Sequence, residues 1–362
     1  METSTATAAV GPDVGSAAHE TFLRTKTFGS LDGLRALSIV VVVWHHTHEG
    51  IRGWPISTRG FLGVDLFFVI SGFLIVTLLL RERRRPGGIS LRNFYIRRFL
   101  RIFPPYYMML LFVGALAFLR SGAEAAAIRR ELPFALLYVA NLVPMTSLLA
   151  ITWSLAVEEQ FYLMIPGLER HAQRALPALL VGAYVLSCLP PLGFFPGAAV
   201  PAFFREATFG PILLGVMLAH LLDDPRGYRA VARLLGHPAS PVFALGLVLA
   251  LTDLPVGDIS GWPRIAIQWS LLLLVASCVV RERHVFSGLL SLWPMQRIGA
   301  VSYGIYLFHL LVRHAVVAAM GLAGLGSHLL LFAVTVLGTW LVAELSYRGI
   351  ESRFLALKAR WT

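Results

Sequence analysis

Ten hydrophobic runs, at roughly 34–48, 61–80, 99–119, 132–168, 175–192, 207–222, 239–254, 264–280, 299–320 and 328–346, dominate the chain. A membrane crossing needs about 20 predominantly apolar residues, and each run is that long or nearly so. The fourth is too long for one helix. It reads as one net crossing with residues 141–152 as a broken or re-entrant piece, because irregular backbone at membrane depth is tolerated where protein surrounds it. Composition agrees: 57% of residues are hydrophobic and 14% charged, against about 25% charged in a soluble domain, and mean hydropathy is +0.71. The expected fold is an all-α polytopic membrane helix bundle with about ten crossings. A polar tail without structure is expected over 1–30, the membrane domain over 31–352, and a short basic tail against anionic lipid over 353–362.

The net charge of +11 could suggest nucleic acid, but the arginines fall between hydrophobic runs and form no nucleic-acid-binding motif. A positive-inside bias accounts for them. With ten crossings, the segments on the side of the termini (the N-terminal tail, 81–101, 169–174, 223–237, 281–297 and 347–362) hold 22 Lys or Arg. The opposite side holds seven: Arg52, Arg59, Arg120, Arg129, Arg130, Arg205 and Arg264. Both termini are therefore expected in the cytoplasm. Cys188 and Cys278 sit in apolar runs without CxxC or histidine spacing, so neither a disulfide framework nor a metal site is indicated.

Ionisable residues inside the runs mark where chemistry is to be sought, since a cation at membrane depth costs at least about 2.5–3.5 kcal/mol. Arg35 and Arg313 are such cations; each faces a polar interior, unless Arg35 snorkels to the inner interface. Residues eleven apart on a helix differ by about 20° and by roughly 16 Å along the axis, so Arg35 and His46 share a face while His45 points about 80° away. Arg98 and Arg101, three apart, share a face where the third run begins and suit the binding of phosphate. Glu158 and Glu159 lie in an apolar helix, where they either pair with Arg35, Arg98 or Arg101 or orient His46 or a substrate. Ser302, Tyr306, His309 and Arg313 form a polar stripe on one helix face, a packing seam in which His309 and Arg313 could also meet substrate. Asp65 is a further polar point, suited to pairing with an arginine or touching substrate.

Five blocks carry a resemblance to a known family: LDGLRALSIVVVVWHH at 31–46, GVDLFFVISGFLI at 63–75, FYIRRFLRIFPPYY at 94–107, WSLAVEEQFYL at 153–163 and SYGIYLFH at 302–309. In this order they resemble the acyltransferase type three family of integral-membrane O-acyltransferases. The resemblance implies acyl transfer, with acetyl as the expected group, from acyl-CoA to a hydroxyl of a carbohydrate, cell-envelope glycan or glycosylated small molecule, through a pore in a bacterial plasma-membrane bundle. It implies no permanently bound cofactor. The family's reactive histidine, eleven residues after an arginine, falls on His46 and Arg35, and its Arg-x-x-Arg motif falls on Arg98 and Arg101. Motif order favours Glu158 over Glu159. Activity that depends on the extra hydrolase-like domain of some members is not expected. Either direct transfer with His46 as base or a covalent acyl-histidine fits these residues.

A rival reading is a proton-coupled transporter or flippase of a lipid-linked or glycoside substrate, with Arg35, His46 and Glu158 as its path. A scaffold without a site would leave the buried arginine and histidines unexplained.

Overall fold

The computed structural model describes residues 14–48, 54–194, 209–256 and 259–358. Its regular elements are helices: α1 (Val14–Arg24), α2 (Gly29–Thr47), α3 (Leu62–Arg83), α4 (Leu91–Leu119), α5 (Ala123–Leu136), α6 (Thr152–His171), α7 (Leu176–Cys188), α8 (Gly210–Asp223), α9 (Pro225–Leu235), α10 (Ser240–Thr252), α11 (Gly261–Val280), α12 (Ser287–Leu290), α13 (Trp293–Ala300), α14 (Ser302–Leu322), α15 (His328–Ser346) and α16 (Ser352–Lys358). The chain is an all-α, multi-pass membrane bundle. Six helices among the described residues are long and apolar enough to cross alone, and there are eight if the bent pairs α1/α2 and α9/α10 each make one span. Helices α7 and α8 are apolar but shorter, at 13 and 14 residues, so the count among the described residues is six to eight against the expected ten.

Helix α3 is apolar around its whole circumference, and a helix of that kind has to be buried. Its residues are enclosed almost throughout, from Leu62 to Leu80. It crosses α8 at a pair of glycines. A Cβ on Gly72 would lie 2.2 Å from the Ile212 carbonyl oxygen, and one on Gly215 would lie 2.2 Å from that of Val69. The two backbones touch because neither residue has a side chain there.

Two expectations need correction. The N-terminal stretch is not without structure over its described part, since α1 occupies it; Phe22 and His19 on its inner face pack against Tyr228 at ring separations of 5.5 and 5.1 Å. Residues 1–13 and 359–362 lie outside the described residues, and α16 occupies the start of the expected basic tail. The second correction concerns Arg264, which sits in the first turn of α11, buried, and not in an outer loop. It donates to both carboxylate oxygens of Asp65 on α3, at 2.7 and 2.8 Å, and its guanidinium lies 5.0 Å from the centre of the Phe61 ring. Asp65 thus meets an arginine 199 residues further along the chain.

The long fourth run breaks where a re-entrant piece is expected. Between α5 and α6 the chain makes two short 3-10 turns, Ala140–Leu142 and Leu148–Ile151, and Tyr138 at the corner has φ +53°. Side chains pin this piece. Glu131 accepts from the backbone N–H and hydroxyl of Thr146, both at 2.8 Å, and from those of Ser147 at 3.1 and 2.7 Å. Asn141 and Gln160 exchange amide hydrogen bonds at 3.0 and 2.9 Å, and Gln160 also donates to the Tyr138 carbonyl. Polar backbone that would be costly in hydrocarbon is therefore enclosed and satisfied.

Candidate active site

A cavity of about 370 Å³ lies among α2, α3, α4, α6 and α14, at the end of the bundle where α2, α4 and α14 begin. Helical spacing supplies its walls. Phe28, Leu31, Asp32 and Arg35 come from the bend before α2 and its first turns, Arg98 and Arg101 from one face of α4, and Ser154, Glu158 and Tyr162, each four apart, from one face of α6. Lys26 joins them from the α1–α2 bend, so four basic side chains face two acids, Asp32 and Glu158. The structure thus brings Arg35, Arg98, Arg101 and Glu158 onto one surface.

Their pairings differ. Arg35 donates to Asp32 at 3.0 Å. Glu158 accepts from the Ser71 hydroxyl at 2.6 Å and from the Tyr162 hydroxyl, so its near partners are alcohols and not guanidinium groups. Arg98 stacks on Tyr162 and Phe94, at 5.3 and 5.7 Å from the ring centres. Neither Arg98 nor Arg101 forms an ion pair with a carboxylate among the described residues. Two guanidinium groups without a carboxylate partner among the described residues, in a half-buried wall, are suited to an anion.

At the opposite end of α2 stands a second cluster. The His46 ring meets His309 of α14, with Nδ1 of His46 3.2 Å from Nε2 of His309 and ring centres 4.8 Å apart. Nδ1 of His46 also lies 2.9 Å from the Val42 carbonyl. His45 is turned elsewhere, with Nδ1 2.8 Å from the Thr58 carbonyl, and with Trp44 Nε1 donating to Ser57 at 2.8 Å it ties α2 to the connection leading into α3. His46 is half-buried and His309 fully enclosed. His309, expected along a substrate path, faces His46. Arg313 follows one turn later on α14, its Nε buried without a hydrogen-bond partner among the described residues.

The predicted residues accordingly fall into two groups. His46 is not among the cavity-lining residues, and helix geometry sets it roughly 16 Å along α2 from Arg35. Glu159 does not line the cavity, and Asp65 is taken up by Arg264. Sequence reasoning missed Lys26, Asp32 and Tyr162 as wall residues. Tyr162 had a usable signal, since it lies one turn after Glu158. Lys26 did not, because the bend that turns it inward is visible only in three dimensions.

A multi-pass helical bundle with a basic cavity at one end and a histidine pair toward the other is the class this geometry defines. Residues 28–344 match the family model of the acyltransferase domain, and the chain belongs to that acyltransferase family. It is 27% identical over 351 residues to a peptidoglycan O-acetyltransferase, OatA, of Listeria monocytogenes, covering 89% of this chain and 55% of that protein. It is 29% identical over 351 residues to an O-acetyltransferase, OatA, of Staphylococcus aureus, covering 89% and 56%. The chain thus spans about half the length of the curated relatives it matches. No solved structure matches.

Proposed function

We propose that the chain is an O-acyltransferase moving an acyl group, acetyl in the first instance, from acyl-CoA to a hydroxyl of a carbohydrate or cell-envelope glycan. The observation that carries the donor assignment is the pair Arg98 and Arg101, which line a cavity and form no ion pair with a carboxylate among the described residues. Phosphates of coenzyme A are the anions such guanidinium groups hold well. The acceptor class follows from the relative whose name specifies peptidoglycan. Donor and acceptor approach from opposite ends of α2, the donor on the cytoplasmic side where Lys and Arg concentrate, in the plasma membrane of a bacterium.

A hydroxyl is a weak nucleophile near neutral pH, and a neutral imidazole is the natural base for it. His46 takes the proton as the hydroxyl oxygen forms its bond to the thioester carbonyl carbon. When the carbon–sulfur bond breaks, His46 returns that proton to the departing thiolate. Glu158, held by Ser71 and Tyr162, stands in the same cavity wall as Arg98 and Arg101, where it lines the path of the donor. The family match does not favour a transporter. Purified protein given acetyl-CoA and a glycan acceptor should release free thiol, read with DTNB. Acceptor uptake without thiol release would establish the transporter instead.

A further inference from the structure

Protonation of the histidine pair follows from which of its neighbours can only accept. A peptide carbonyl has no proton to give, so the 2.6 Å contact between His309 Nδ1 and the Tyr306 carbonyl oxygen requires the proton of the neutral His309 ring to be on Nδ1. Its Nε2 is then a bare lone pair. That lone pair lies 3.2 Å from His46 Nδ1, which must be the donor. The Val42 carbonyl, 2.9 Å from the same nitrogen, is a second acceptor and demands the same assignment. His46 therefore carries its proton on Nδ1, shared between two acceptors, and its Nε2 is unprotonated.

We propose that His309 is a positioning residue that holds His46 with its proton on Nδ1, so that Nε2 is the atom that takes the proton from the acceptor hydroxyl. This rests on the acyl-transfer reading above. Enclosure of His309 suits the role, since a ring without access to substrate acts only through the ring it touches. As the acceptor O–H bond breaks and its proton moves to His46 Nε2, His46 becomes an imidazolium. Its Nδ1–H bond to the neutral His309 then becomes charge-assisted, a gain present at the transition state and absent before it. The proton taken from the acceptor stays on His46 Nε2 until His46 returns it to the departing thiolate. Two other basic groups stand close: His45, whose ring centre is 5.1 Å from that of His46, and Arg313, one turn beyond His309. Neither accepts from His46 Nδ1, so neither can replace His309.

The test combines a spectroscopic and a kinetic measurement on the full chain. With ¹⁵N-labelled histidine, His46 of the wild type should show a protonated Nδ1 and a bare Nε2, with scalar coupling to His309 Nε2 across the hydrogen bond. A proton on His46 Nε2 would overturn the proposal whether or not the protein transfers acyl groups. In a thiol-release assay, His309→Phe should lower kcat by about 10²-fold, the low end of what a general base contributes, with the KM for acetyl-CoA little changed. His309→Gln, whose amide oxygen can accept from His46 Nδ1, should recover most of the loss. An unchanged kcat in His309→Phe, or no difference between Phe and Gln, would reduce His309 to packing. Absence of thiol release by the wild type would count against the acyl-transfer reading and leave the spectroscopic result to stand alone.

Discussion

His45 and His46 are adjacent in sequence and opposite in circumstance. One is tied to the Thr58 carbonyl at the start of α3's approach, while the other meets His309. His46→Ala should therefore lose about 10²- to 10⁴-fold in turnover with donor affinity little changed, and His45→Ala should keep most activity. Thiol-release rates at matched expression decide it, and the reverse ranking would remove His46 as the base. Replacing Arg98 and Arg101 together by alanine should raise the donor dissociation constant at least about tenfold, because one charge-assisted contact contributes about 1.5–3 kcal/mol. An unchanged constant by calorimetry would leave these arginines with topology alone. At this scale the sequence was informative wherever the signal was local. Helical spacing is enough to set Arg98 beside Arg101 and to turn His45 away from His46. It could not pair Asp65 with Arg264 or His46 with His309, because those contacts join residues 199 and 263 apart and depend on which helices become neighbours.

The crossing of α3 over α8 depends on hydrogen atoms where side chains would stand. Gly215→Val should strain the Val69 backbone and cost about 1–3 kcal/mol, lowering the unfolding midpoint in detergent. Gly246→Val on α10, where an added Cβ meets nothing within 4 Å, is the control and should leave the midpoint nearly unchanged. Glu131 on α5 offers a test by pH. Burial alone would raise its pKa, but the hydrogen bonds from Ser147 and Thr146 outweigh burial and hold the carboxyl below its ordinary value. Its folded-state pKa is thus depressed, so its stabilisation is complete above the unfolded-state value near ~4.3 and fades as pH falls through the folded one. Thermal unfolding of wild type and Glu131→Gln should differ clearly at pH 7 and converge in acid; a gap independent of pH would show that the charge is not what anchors the turn. The overlong fourth run announced a break, and its re-entrant piece was legible for that reason. Helix α1 was not, because polar composition near an end says nothing of the Tyr228 surface against which Phe22 and His19 pack.

For the whole molecule, the concentration of basic residues on one side predicts the orientation. Single cysteines at Ser121 and Ala323 should react with an impermeant maleimide on intact cells, and one at Pro86 should not; the opposite pattern would invert the bundle. The Asp65–Arg264 pair has a consequence for how the bundle is made. Asp65 leaves the ribosome and enters the bilayer inside the central helix 199 residues before its partner has been synthesised. Until α11 arrives, that carboxyl lacks the arginine that pairs with it in the finished bundle, and a lone charge in the interior is costly. The 260 residues that precede α11 therefore hold Asp65 without its partner. A chain ending before Gly261 should be degraded rapidly in pulse-chase experiments, and Asp65→Asn should prolong its life while shortening that of the full-length protein. Equal lifetimes for the two truncated chains would mean that assembly does not wait for this pair.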